Sequence, residues 1–550
     1  MTRKIWIILL SIVLLGAFLR FYLLGKIPAS LDWDEASIGD NAYSLLKTSS
    51  DEYGNRFPLS IRSFNDYKPP LYVYATIPSI ALFGKNEFAI RFPSAFVGTL
   101  SILATFLLIQ QLLNFRREKN SLHYCIIALL ISFLLAVSPW HIQFSRLAFE
   151  ANLALFFSLC GWLFLTKFIS QGRWWPIIPS TLSYVLALYS YHSARLVVPL
   201  FLLGIGFYYH RILFARIKTV LVGLGLAIVL LLPLALSTLQ TTSLQARWGE
   251  VSIFSSAGLR DTVKVTLDAQ QEYWRQDKLQ GDRLARLIHT KFISYSRLLA
   301  KNYLDHFNFS FLFLEADGNG RHHAPGMGLL YLVEAPFLLY GGYLLLRRRP
   351  TYSFFLVWAF LVAPSAASLT ADTPHAVRSL SFLPSFQIIT AFGLYSLLSK
   401  VKTLFRGPLL LLISLLFLAN FYYFFHQYFV HFGIEHASSF QYGYKEMVAK
   451  VRALSGEFDQ IYVTVKYDQP YIYFLFYGHS DPRIKNDGTF QLSFDKYRFV
   501  NWGELTNEQK SNLSPKILAV HAPDDFFSPH VILDKIYYPD GKVVFVLSHM

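Results

Sequence analysis

The sequence predicts an α-helical integral membrane protein of about eleven transmembrane helices, with an interfacial helix in its first outer loop and a C-terminal extracytoplasmic α/β domain. Three observations predict it. The 550 residues are 53% hydrophobic, 17% aromatic and only 15% charged, with mean hydropathy +0.36, whereas a soluble domain carries roughly 25% charged residues. The apolar residues come in runs of about 16 to 23, such as Ile5 to Leu24 and Leu409 to Phe425, close to the length that crosses a hydrocarbon core about 30 Å thick. Basic residues, finally, gather in alternate connections between those runs.

Taken in order, the spans fall near 5–24, 91–113, 121–138, 151–168, 176–191, 195–210, 219–239, 326–346, 351–367, 379–399 and 408–426. Each is a helix, because lipid offers no partner to an open backbone. The first run is long for a signal-peptide core and no small-x-small cleavage site follows it, so it reads as a retained span. Leu71 to Phe83 is apolar but only about thirteen residues long, which suits an interfacial or re-entrant segment. Cys125 and Cys160 both lie in apolar runs and offer neither a disulfide framework nor a metal-type spacing.

The formal net charge of +15 follows topology. Arg3 and Lys4, then Arg116, Arg117 and Lys119, then Arg173, then Arg211, Arg216 and Lys218, then Arg347 to Arg349, then Lys400, Lys402 and Arg406 occupy every second connection. That is the positive-inside pattern, and it argues against nucleic acid as a partner. It places the N-terminus in the cytoplasm of a cell-membrane protein and puts residues 25–90, 139–150, 192–194, 240–325 and 368–378 outside. Residues 1–426 form the membrane domain. Residues 427–550, with strand-like runs at Ile461–Val465, Ile517–Val520 and Val543–Leu547 between turn clusters, form the soluble domain.

The first outer loop holds the densest chemistry. It reads Leu31-Asp32-Trp33-Asp34-Glu35-Ala36, continues through Gly39 and Tyr43 on an amphipathic helix, and closes with Asp66-Tyr67-Lys68-Pro69-Pro70-Leu71-Tyr72. Carboxylates at a bilayer interface are costly unless paired or used. The alternative is that Asp34 and Glu35 cap the helix that follows. The second loop, Ser138 to Asn152, adds Arg146 and Glu150, which could simply pair at a helix start. The turns Tyr191-His192-Ser193-Ala194-Arg195 and Thr373-Pro374-His375-Ala376-Val377-Arg378 sit on the same side. Their histidines can be interfacial groups satisfied by backbone or water, whereas Arg378 runs against the positive-inside rule and invites a functional role. His322 and His323 lack ligand-type spacing and read as part of a flexible loop.

The ordered set Asp34-Glu35, Lys68-Pro69-Pro70-Leu71-Tyr72, Phe83-Gly84, Glu87-Phe88-Ala89 and Arg91-Phe92-Pro93-Ser94-Ala95 resembles the lipid-linked sugar transferases of the GT-C fold related to protein O-mannosyltransferases and the lipid A aminoarabinose transferase. The likeness is strong over residues 30–100, persists in arrangement to about residue 400, and is weak in the C-terminal domain. It implies a polyprenyl-phosphate-linked sugar donor, a hydroxyl acceptor and Asp34 as the general base. Glu35 and Glu150 are the further catalytic candidates. Lys68, Arg91, Arg146 and Arg378 are candidates to hold the donor phosphate, and Tyr43, Tyr67, His192, Arg195 and His375 to line the substrate pocket. The aminoarabinose-type enzymes carry a glutamate directly before the lysine, which can join a metal site. Tyr67 stands there in this chain, so the resemblance passes on no metal dependence and leaves a divalent cation open. Two rival readings meet the same residues. A transporter of lipid-linked sugars calls for inverted repeats and ionisable residues at the bilayer midplane. An oligosaccharyltransferase would show Trp-Trp-Asp-Tyr-Gly, whereas Trp174-Trp175 is followed by Pro176.

Overall fold

A computed structural model describes residues 3–64, 66–113, 121–240, 249, 251–255, 261–348, 353–478, 481, 483, 486–505, 516–525 and 531–549. The predicted basic cluster Arg116, Arg117 and Lys119, together with Arg349, lies outside them. Among the described residues six helices are long and apolar enough to cross a membrane: Arg3–Phe21, Glu87–Leu113, Glu150–Gln171, Ile217–Gln240, Leu380–Lys400 and Thr403–Glu435. A seventh is counted if Leu122–Val137 and Pro139–Ser145, bent by 58°, form one broken span. Shorter apolar helices fill the regions 177–190, 194–208 and 353–368. The expected count of eleven is therefore not reached by length. The run predicted from 326 shows why: Gly326 is left-handed (φ +65°), Leu330 N–H bonds Leu312 O, and after a 3-10 turn at Leu332–Glu334 α-helix begins only at Ala335.

We label the site-bearing elements α1 (Arg3–Phe21), α2 (Trp33–Thr48), β1 (Ile61–Ser63), β2 (Asp66–Lys68), α3 (Leu71–Phe83), α4 (Glu87–Leu113), α5 (Ser121–Val137), α6 (Pro139–Ser145), α7 (Glu150–Gln171), α8 (Ile177–Ser190) and α9 (Ala194–Tyr208). The core of the bundle joins α1, α4, α5, α7 and α8 with the helix Ser385–Lys400. At about 1.5 Å per residue, the 13 residues of α3 fall well short of a bilayer. This helix packs on α2 and α4.

Beyond the long helix Thr403–Glu435 lies a six-stranded mixed sheet of β3 (Gln460–Thr464), β4 (Ser493–Phe494), β5 (Tyr497–Val500), β6 (Ile517–His521), β7 (Val531–Tyr537) and β8 (Val543–His549), in the order β4-β5-β3-β6-β8-β7. Strand β3 runs parallel to both its neighbours, β5 and β6, and the α/β expectation holds for this part of the chain. The helix Pro470–Tyr477 of this domain backs onto α2, where Tyr473 Oη donates to Leu31 O at 3.2 Å. Gly39 is required at that contact, because a Cβ there would meet Ile90 at 2.6 Å and Phe476 at 2.7 Å. The C-terminal sheet domain thus braces the first loop from behind.

Candidate active site

Local chemistry sets the first loop. Asp32, not Asp34 or Glu35, caps α2: its Oδ1 accepts the Glu35 amide at 2.7 Å. That frees the next two carboxylates to point elsewhere. The hairpin of β1 and β2, in register Ile61↔Lys68, returns the chain so that Lys68 Nζ donates to Asp34 Oδ1 at 2.6 Å. Burial works to lower the Lys68 pKa, but the carboxylates of Asp34, Glu150 and Asp66 outweigh it and hold the ammonium above the usual lysine range.

These groups line a polar cavity of about 270 Å³ at one end of the bundle. Glu150, at the start of α7, faces it from the second loop, and Tyr67, His192, His375 and Arg378 complete much of its wall. His192 Nε2 lies 2.9 Å from Tyr67 O, Arg378 Nη1 donates to Thr370 Oγ1 at 2.7 Å, and His375 Nδ1 accepts the Arg378 amide at 3.4 Å. Beside the cavity, sharing Tyr191, Val377 and Arg378 with it, lies an apolar crevice lined from α7 and α9 by Ala151, Ala154, Leu155, Val197 and Val198.

Four candidates sit elsewhere. Arg91 is fully buried. It forks onto Glu35, Nε to Oε1 at 2.9 Å and Nη2 to Oε2 at 2.7 Å, and donates to the carbonyls of Leu24, Pro28 and Ser30. Arg146, equally buried, donates to the carbonyls of Leu19, Arg20 and Ile27 and lies over the Tyr428 and Phe429 rings, so its guanidinium goes to backbone carbonyls and not to the alternative pairing with Glu150. Neither arginine reaches the cavity. Tyr43 lies under Lys85 and Lys47 on another face of α2, and Arg195 donates to Leu188 O. Glu35 touches the cavity floor, yet it is only 3% exposed and its oxygens hold Arg91 and the Ala148 amide.

The long outer loop corrects the expectation most. His322 is buried, not part of a loose loop, and its Nδ1 lies 2.7 and 3.0 Å from the two oxygens of Asp317. Arg321, unanticipated, donates to Asp32 Oδ2 at 2.9 Å, stands 3.9 Å from Asp34 Oδ2 and covers the Trp33 ring. Burial raises the Asp32 carboxyl to about 6, Arg321 opposes this, and the neighbouring Glu35 and Asp34 add to it. The signal for Arg321 was present: a basic residue on the outer side just before a predicted span breaks the positive-inside rule as Arg378 does.

Asp317, His322 and His375 offer ligand atoms within 4.8 Å of one another. Two imidazoles and a carboxylate fit a zinc-like divalent cation. A site built on the residue before Lys68 does not fit, since Tyr67 stands there.

Residues 10–243 match the family model described as dolichyl-phosphate-mannose-protein mannosyltransferase. No curated protein matches the chain in sequence. Among solved structures, ArnT from Cupriavidus metallidurans bound to undecaprenyl phosphate superposes with TM-score 0.56 at 11% identity, over 99% of this chain and 98% of that one. Its apo form gives 0.54 at 11% identity, over 98% and 97%. The archaeal oligosaccharyltransferase AglB from Archaeoglobus fulgidus, in complex with an inhibitory peptide and a dolichol-phosphate, gives 0.47 at 14% identity. That match covers 82% of this chain, which spans only 58% of the length of AglB. The chain has the GT-C fold and is similar to the mannosyltransferase and ArnT enzymes.

Proposed function

We propose that this protein is a membrane glycosyltransferase that moves a sugar from a polyprenyl-phosphate carrier to a hydroxyl acceptor, with inversion and with Asp34 as the general base. One observation carries the proposal. A polar cavity holding an accessible carboxylate beside Lys68, Arg321 and Arg378 adjoins an apolar crevice between membrane helices. That combination suits a ligand with a charged head and a hydrocarbon tail, in keeping with the lipid phosphate bound by ArnT.

The chemistry follows from the groups at hand. The acceptor oxygen attacks the anomeric carbon, its proton passes to the Asp34 carboxylate, and the bond from that carbon to the carrier phosphate breaks with its electron pair. The departing phosphate gains negative charge, so cations rather than an acid must receive it. Lys68 serves both ends of the step. Paired with Asp34 in the resting site, it turns toward the donor phosphate when that arrives, releasing the carboxylate for the acceptor proton. A cation held by Asp317, His322 and His375 would supply further positive charge at the cavity wall.

A transporter would keep ionisable residues deep in its spans. In the helices described, every Asp, Glu, Lys and Arg of a candidate span lies near a helix end, as Arg20, Glu87, Arg91, Glu150, Lys167 and Lys400 do. The test is to reconstitute purified protein with a panel of radiolabelled polyprenyl-phosphate sugars and ask which label moves to a hydroxyl acceptor. Transfer of none of them, by folded protein, would end this reading. Orientation is a separate proposal: a cysteine at Ser60 should react with an impermeant thiol reagent from outside intact cells and one at Thr403 should not.

A further inference from the structure

After the span Ile217–Gln240 the chain forms three helices among the described residues: Asp261–Leu279, Arg283–Ile288 and Lys291–Asp305. The last leads directly to His306, whose Nε2 accepts the His375 amide at 3.2 Å, so these helices belong to the end of the molecule that carries the cavity. The turn between them is pinned. His289 Nδ1 lies 2.7 Å from Asp277 Oδ2, and the Tyr273 and His289 rings are 5.4 Å apart.

What this pinned turn presents is unusual for an aqueous surface. Within the short stretch 279–292, Leu279, Leu284, Leu287, Ile288 and Phe292 are 88%, 78%, 65%, 52% and 77% exposed. Soluble surfaces rarely cluster apolar side chains this way without a partner. Charge is sorted along the same segment. Residues 275–301 contain seven basic residues, Arg275, Lys278, Arg283, Arg286, Lys291, Arg297 and Lys301, against Asp277 and Asp282, whereas residues 261–274 contain Lys264 against Asp261, Asp268 and Glu272. Of the basic groups, Lys278, Arg283, Lys291 and Arg297 pair with no carboxylate among the described residues. Exposed Tyr273 and Trp274 flank the turn, with Lys278 over the Trp274 ring.

Large apolar side chains edged by basic groups and interfacial aromatics are the composition of a segment that lies in a lipid headgroup region. We propose that residues 275–292 dock onto the membrane surface at the cavity's end of the bundle, with Leu279, Leu284, Leu287 and Phe292 entering the acyl boundary and Lys278, Arg283 and Lys291 meeting anionic headgroups. The occupant is the bilayer in which the bundle already sits. Charge selects it: seven of the eleven basic residues of 240–325 fall in 275–301, the stretch that also holds Leu279, Leu284 and Phe292, the most exposed large apolar side chains among the described residues of this loop. This inference does not depend on the chemistry of the cavity.

The test uses full-length protein in nanodiscs, on a Cys125→Ala, Cys160→Ala background, carrying a polarity-sensitive fluorophore on a single cysteine at Leu284, Phe292 or, as a solvent control, Gly456. Spin-labelled lipid should quench the labels at 284 and 292 about threefold more than the one at 456 when the disc contains phosphatidylglycerol. That excess should fall by about half in purely zwitterionic discs, in high salt, or when Lys278, Arg283 and Lys291 are all changed to glutamate. Quenching at 284 and 292 no greater than at 456 in either disc would overturn the proposal. If an added soluble polypeptide or glycan then shields those labels, the surface belongs to a macromolecular partner instead. Equal excess in anionic and zwitterionic discs would overturn the assignment to anionic headgroups.

Discussion

Asp34 and Glu35 are neighbours in sequence and both pair with a cation, yet their situations are opposite. Asp34 meets Lys68 at the wall of a cavity, with its side chain 34% exposed. Glu35 meets Arg91 in the interior, with both side chains almost wholly shielded and the remaining hydrogen-bonding capacity of the guanidinium directed to three carbonyls. One pair can be exchanged for a ligand. The other is a clamp that ties α2 to α4 and, through the Ala148 amide, to the second outer loop. The helical repeat explains the divergence, since successive residues on α2 point about 100° apart, so that a dipeptide at a helix start can serve a cavity and a core at once.

The strongest way to break this comparison is Asp34→Asn. The amide keeps the shape but cannot take a proton, so turnover should fall by about 10²- to 10⁴-fold while thermal stability stays near that of the parent. Kinetics and melting of the same preparation check it. An Asp34→Asn protein that turns over normally, beside a dead Glu150→Gln, would move the base to the second loop.

Arg91→Met should behave in the opposite sense. Removing one partner strands the Glu35 carboxylate in a dry interior, at a cost of about 3 to 5 kcal/mol of stability. Detergent-resistance melting measures this, and any folded fraction should retain donor binding. Normal stability with lost donor affinity would mean that Arg91 reaches the phosphate after all.

Lys68→Ala tests the exchangeable pair from its other side. Loss of one contact to developing charge should weaken transition-state stabilisation by about 2 to 4 kcal/mol, read as kcat/KM for the donor. A folded Lys68→Ala protein with unchanged kcat/KM would remove the lysine from the phosphate step.

The contrast between the two carboxylates marks the limit of what the sequence carries. Membrane class and the α/β character of the tail follow from composition and from apolar runs that are local properties, and the Asp34, Lys68, Glu150 and Arg378 positions follow from motif order and charge placement. Which of two adjacent acids faces inward depends on where Arg91 lands, 56 residues away. The same holds for Arg146, whose acceptors are more than a hundred residues distant. His322 looked unattached because its partner Asp317, five residues away, has no periodic relation to it outside a helix or strand. Helix lengths were overread where the start of an apolar run is not α-helical, as over residues 326–334, since apolarity alone does not say where the backbone begins to wind.

Asp32 gives the smallest expected effect and the sharpest sign. Burial lifts its carboxyl to about 6 against the pull of Arg321, so above that pH it is ionised and holds Arg321 across the cavity, and below it the proton competes with the arginine. Activity should therefore fall on the acid side with an inflection near 6. Stability should run the other way. A group whose folded pKa is raised contributes stability below its unfolded value, 3.8, and that contribution is lost as pH climbs through about 6, a swing of about 2 to 3 kcal/mol. Asp32→Asn cannot titrate and should erase both features. It should lower turnover at neutral pH by about 3- to 10-fold, on the scale of one ordinary hydrogen bond, since the amide oxygen can still accept from Arg321, while flattening the dependence of melting temperature on pH between 4 and 7. Parent and variant profiles that superimpose would mean that Arg321 is held by something other than the Asp32 charge.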